Sequence, residues 1–181
     1  MIELDRKQFE GFMKLLDGVK DGYATAASRA VNRTLQGAAT MLTKQVTSTY
    51  TIKAREVKSD ITLKKATKGS PEGELEIRGG RKPLSDFKVR PRADTTHSQK
   101  PVTAELKRGS EFEVRSGFVW KGKVLRRTTT QSLPVSEENG PAVAQMAGTK
   151  ETLDAVDDFI SEKLPERMDH EVGLLLDKAT K

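Results

Sequence analysis

Along the first third of the chain, apolar residues recur every three or four positions. Phe9, Phe12, Met13 and Leu16 fall at helical spacing, which predicts a short amphipathic helix over residues 6–17. Gly18 and the Asp21-Gly22 pair interrupt it. Ala24, Ala27, Val31, Leu35, Ala38, Leu42 and Val46 then line up as one stripe, predicting a long helix within residues 21–50 with Asp21 as its N-cap. The stripe is rich in alanine, which lets another backbone come close. Gly37 inside it lowers helix propensity by up to ~1 kcal/mol, and close packing, a bend and a tolerated surface glycine all stay open as its reason. The polar, β-branched run 47–51 ends the helix, and residues 54–59 suit one further short turn or helix.

The middle of the chain changes period. Ile61-Thr62-Leu63 and Leu75-Glu76-Ile77 alternate as strands do, and Lys68-Gly69-Ser70-Pro71-Glu72-Gly73 between them has the composition of an exposed turn. After Gly79-Gly80 comes an extended basic segment bounded by Pro83 and Pro91. Residues 93–100 hold no apolar side chain beyond Ala93 and are expected to be mobile. Residues 102–106 and 112–114 alternate again around Gly109-Ser110. Phe118-Val119-Trp120 and Val124-Leu125 flank Lys121-Gly122-Lys123, a hairpin turn by type. Four to six short antiparallel strands are the expectation. Leu133-Pro134-Val135 leads to Asn139-Gly140-Pro141, a turn signal, and Val143, Met146 and Ala147 allow one short helical turn. Thr149 then caps a helix over residues 150–163, with Leu153, Val156, Phe159, Ile160 and Leu164 on one face and Glu151, Asp154, Asp157, Asp158 and Glu162 on the other. Pro165 bends or restarts it, and Met168, Val172 and Leu175 carry the stripe on. The predicted class is α+β: a long N-terminal helix, a small antiparallel β-region and an acidic C-terminal helix, without βαβ alternation or repeats.

Composition narrows the picture. At 181 residues the chain suits one domain, with an N-terminal helical arm at 1–20, the long helix at 21–50, a β-rich region at 51–131 and a helical region at 132–181. Apolar residues make up 35% and charged residues 32%, so the core is thin. The net charge of +6 hides a segregation: residues 1–50 carry +2, residues 51–131 carry +10 and residues 132–181 carry −6. A basic block of this kind serves a nucleic acid or any acidic surface, including the acidic end of a neighbouring copy. No apolar run approaches the ~18 residues of a membrane span. The acidic, charge-broken start does not read as a secretory signal. The absence of cysteine excludes disulfide scaffolds, thiol catalysis and thiolate zinc sites. The expectation is a soluble protein of a cytoplasm-like compartment, with no membrane partner.

Catalytic chemistry is not found. His97 and His170 stand far apart, and His170 with Asp169 and Glu166 reads as a solvated helix face before it reads as a metal site. There is no Walker phosphate loop and no Gly-x-Ser-x-Gly elbow. The carboxylates crowd onto a helix exterior, so no general acid/base pair can be picked out. Asn32-Arg33-Thr34 matches a glycosylation sequon but lies mid-helix. The reading is a non-enzyme without cofactor or metal; a metal-dependent hydrolase on the acidic helix is the weaker rival. Arg78, Arg81, Lys82, Lys88, Arg90 and Arg92 cluster within fifteen residues and could neutralise several phosphates in a salt-dependent, sequence-independent way. No stacking pattern of aromatics accompanies them, since Phe87 alone is no platform.

Several short stretches, in order, resemble a known family. Ala30-Val31-Asn32-Arg33-Thr34-Leu35 and Tyr50-Thr51-Ile52-Lys53 are similar to the start of the phage minor tail protein Z family. Pro83-Leu84-Ser85-Asp86-Phe87-Lys88-Val89-Arg90-Pro91-Arg92 matches its most distinctive stretch. Gly117-Phe118-Val119, Leu133-Pro134-Val135 and Gly140-Pro141-Ala142-Val143-Ala144-Gln145-Met146 follow. The resemblance covers roughly residues 24–178, leaves the first twenty outside, and meets a charged 110–116 where the family is more apolar. It implies a structural virion protein, assembled in the bacterial host cytoplasm. Its place would be the head-proximal end of a long non-contractile tail, joining tail tube to portal vertex and helping to hold the DNA end. Partners implied are copies of itself in a hexameric or dodecameric ring, a tail terminator or tube protein, head-connector or portal proteins, and phage DNA by non-specific contact. The physical pattern fits, because rings use two different faces of each subunit and the basic middle and acidic end supply them. The segment 83–92 would either dock on a neighbour or line the channel near DNA, with Phe87 and Val89 as anchors and Lys88, Arg90 and Arg92 as charged contacts, unless it is a structural crossover. A basic DNA-binding accessory protein acting through residues 51–131 is the alternative.

Overall fold

A computed structural model describes residues 10–11, 14–16, 21–96 and 101–179. Most of the helix expected over 6–17, and His97 with the rest of 97–100, lie outside the described residues. The fold is α+β. Helix α1 (Gly22–Thr49) and the short α2 (Ala54–Ser59) precede strands β1 (Ile61–Lys64) and β2 (Glu74–Ile77). Strand β3 (Arg81–Pro83), a 3-10 turn (Leu84–Asp86), β4 (Lys88–Arg90), β5 (Thr103–Glu105) and β6 (Glu111–Glu113) follow. Then come β7 (Gly117–Trp120), β8 (Lys123–Arg127), β9 (Val135–Glu137), β10 (Asn139–Ala142), α3 (Val143–Ala147) and α4 (Lys150–Ala179). Among the described residues there are ten strands, more than the four to six expected, because three-residue strands leave almost no period to read.

The chain forms two compact units, one of residues 1–42, 61–77 and 150–181, the other of 43–60 and 78–149. In the first, Ala26, Ala27, Ala30, Val31 and Leu35 of α1 pack with Leu164, Met168 and Val172 of α4 and with Ala66. Gly37 is explained by close packing. A Cβ there would sit 2.7 Å from Cζ of Phe159 and 3.0 Å from Nη2 of Arg167. Asp21 is not an ordinary N-cap: its φ is 53°, in the left-handed region that aspartate tolerates better than most residues. Its carbonyl still accepts the Thr25 N–H at 2.9 Å. Strands β1 and β2 pair antiparallel, Ile61 opposite Ile77. Asn32 ties the end of that hairpin to α1, donating to the Ala66 carbonyl at 2.9 Å and accepting its N–H at 2.8 Å. Helix α4 runs unbroken through Pro165, so the expected restart does not occur. Leu153, expected on the buried face, is 49% exposed, while Thr152 is buried instead. Glu171 is buried and lies 3.4 Å from Arg33 and 3.7 Å from Arg29.

In the second unit, Leu84, Val89, Val102, Ala104, Val114, Val119 and Val124 form the core. Strand β5 lies between β4 and β6, and β8 between β7 and β9. Lys121 (φ 48°) and Gly122 (φ 75°) make the two-residue β7–β8 turn, the positive pair of angles a tight hairpin requires. The end of α1 is met here by the β5–β6 hairpin. The Arg108 side chain donates to the Thr47 carbonyl at 3.1 and 2.9 Å, and its backbone N–H donates to Thr49. These bonds satisfy carbonyls that a helix end leaves open. Two loop expectations are corrected. Thr95, expected to be mobile, is buried, exchanging 2.9 and 2.8 Å hydrogen bonds with Val119. Asn139-Gly140-Pro141 is not a turn but strand β10, irregularly paired with β3. Proline is tolerated at such a bulge. Among the described residues no helix is long and apolar enough to cross a membrane.

Candidate functional site

The segment from Pro83 to Arg92 alternates as a half-buried strand should. Phe87 and Val89 are buried, whereas Lys88, Arg90 and Arg92 are exposed. Phe87 packs where Gly140 lacks a side chain: a Cβ there would stand 2.7 Å from the ring and 3.0 Å from Leu106. The two apolar residues read as anchors for a neighbour are thus placed in the unit's own interior. Val89 pairs with Ala104 across β4–β5.

The run of cations divides in two. Lys82 lies 2.7 Å from Asp60, with both side chains largely buried. Lys88 is ion-paired with Glu105, whose other oxygen accepts the Gly109 N–H at 2.8 Å. These two donors, Lys88 first, hold the Glu105 carboxyl below its ordinary value against the opposing effect of burial. Arg81 donates to the Gly140 and Asn139 carbonyls at 3.1 and 3.2 Å. Arg78 is exposed, and its backbone N–H donates to the Asp60 carbonyl at 2.8 Å. Asp86, beside this group, is raised by burial and then by Glu56, with Lys53, Lys82 and Arg55 opposing. Hence Arg81, Lys82 and Lys88 do structural work within the unit. Arg90 and Arg92 are left at the surface, Arg92 at the edge of a 180 Å³ cleft with Lys53, Pro91 and Gly122.

Aromatic side chains of β7, not singled out from the sequence, sit beside further cations. Trp120 is 45% exposed, with the Lys121 ammonium 4.7 Å from its ring centre, and the Arg127 guanidinium lies 4.8 Å from that of Phe118. Each is a cation–π arrangement. A larger cleft of 570 Å³ is lined by Tyr50, Leu106, Phe112 and Pro141, with Arg81 and Lys107 among its walls. Tyr50 and Phe112 lie 62 positions apart in sequence, so only pairing of the β5–β6 hairpin with the end of α1 joins them. Among the described residues no group of three or more His, Cys, Asp or Glu could hold a metal ion.

The second unit thus presents exposed cations and aromatics over a packed core. Over residues 7–181 the chain matches the family model of prophage minor tail protein Z (GPZ), and it belongs to that family. The chain is accordingly a phage minor tail protein, with a structural role in the virion tail. The match takes in most of the first twenty residues, which the resemblance read from motifs had left out. No curated protein and no solved structure matches the chain.

Proposed function

We propose that this minor tail protein completes the head-proximal end of the tail and joins the tail tube to the portal vertex, assembling there as a ring of its own copies. The observation that carries this reading is that each unit exposes a patch of opposite charge. The second unit exposes Arg90, Arg92, Lys107 and Lys121, while the outer face of α4 exposes Glu151, Asp154, Asp157, Asp158 and Glu162. Two unlike faces on one subunit are what a heterologous, ring-closing contact needs. Neighbours above and below would be a tail terminator or tube protein and a head-connector protein. Arg90 and Arg92, free of the structural duties of Lys82 and Lys88, are the residues proposed to face the DNA end or an adjoining subunit.

The test is co-sedimentation with tails assembled without this protein, with duplex DNA as competitor at low and high salt. Saturable binding to tails that survives both is expected. Binding only to DNA and only at low salt overturns the reading and leaves a non-specific DNA-binding protein, whose affinity falls linearly with salt on logarithmic axes.

A further inference from the structure

Phe112 is 43% exposed on strand β6 at the mouth of the 570 Å³ cleft, whose apolar floor includes Tyr50, Leu106 and Pro141. Cations border that floor: Arg81 lines the cleft, and Lys107 lies 5.8 Å from the Tyr50 ring centre. Helix α4 carries a feature of the opposite make. Leu153 of α4 is 49% exposed, and Asp157 one turn on and Asp154 beside it are exposed too. Over residues 150–162 the only cation is Lys150, against five carboxylates. An apolar knob set in acid and an apolar cleft set in base are complementary in both shape class and charge. Such complementarity steers encounter and fixes register.

We infer that the cleft lined by Tyr50, Leu106, Phe112 and Pro141 receives Leu153 from helix α4 of a second copy, with Lys107 and Arg81 meeting Asp154 and Asp157. The inference rests on the self-assembly part of the proposed function and names its interface. Each copy then carries one cleft and one knob, so that every contact leaves an unused partner at each end until the ring closes. Asp154 and Asp157 keep the surface around Leu153 charged.

The chain has no cysteine, which makes the test clean. Ser110→Cys, which lines the cleft, and Lys150→Cys, three residues before Leu153 on α4, are made in separate, differently tagged chains, mixed, and treated with a short bis-maleimide. The expected result is a mixed dimer at least tenfold more abundant than either like dimer. It should fall at least fivefold when Asp154→Lys and Asp157→Lys are added to the second chain, and recover in part with Lys107→Glu in the first. A mixed dimer no more abundant than one made with the control Leu174→Cys, also on an exposed site of α4, overturns the interface. Sedimentation of the wild-type chain separates the two levels. Oligomers without the cross-link leave self-assembly standing and this interface wrong; a monomer throughout, without the cross-link, removes both.

Discussion

Asp60 has two oxygens in unlike positions. Oδ1 accepts from Lys82 at 2.7 Å, while Oδ2 is buried without a hydrogen-bond partner among the described residues. A Cβ on Gly79 would come within 2.0 Å of that oxygen, so glycine is required there. Removing one member of a largely buried pair leaves the other charge stranded, which costs about 3 kcal/mol or more. Lys82→Met is therefore expected to lower the urea midpoint by an amount equivalent to ~3 kcal/mol without a change in slope. The double variant with Asp60→Asn should recover much of the loss. The sign of each charge was plain in the sequence. Which cations are ion-paired inside the unit and which stay at its surface was not, because Lys82 and Asp60 stand 22 positions apart and Lys88 finds Glu105 only through the β4–β5 ladder.

At the scale of elements, the two long helices were legible from their stripes, since a period of three to four sustained over many turns has no other reading. Their details were not. Helix α4 continues through Pro165, which can donate no N–H to the preceding turn. Pro165 is exposed, so Pro165→Ala restores a helical hydrogen bond without disturbing the core. It is expected to stabilise the protein by roughly 1–3 kcal/mol, read as a higher thermal midpoint. The opposite error came from Asn139-Gly140-Pro141. Its turn chemistry is real in local terms, yet the absence of a side chain at Gly140 is used to seat Phe87, and the segment pairs as β10 with β3. Tertiary packing overrode a local preference worth less than a buried ring.

For the molecule as a whole, the first unit is entered three times, by residues 1–42, 61–77 and 150–181. The β1–β2 hairpin, which belongs by composition to the basic β-rich stretch, packs Leu75 against the same core as α1 and α4. Met168 is fully buried in that core, and Met168→Ala is expected to cost about 2–5 kcal/mol. In native-state hydrogen exchange it should speed the amides of Leu75–Ile77 together with those of α1 and α4, by more than it speeds Val119 and Val124 of the second unit. Equal acceleration of both sets would mean that the units open as one.

The sequence by itself determined the α+β class, the long helices, the charge segregation and, through short stretches in a fixed order, the tail-protein family. These follow from local periodicity and from composition, which need no knowledge of what meets what. Only the tertiary structure decided that Phe87 and Val89 are interior, that Lys82 and Lys88 are consumed by ion pairs, and that Tyr50, Phe112 and Lys107 share a cleft. Each of those depends on pairing between residues far apart in the chain, and a pairing energy is not written in either partner alone.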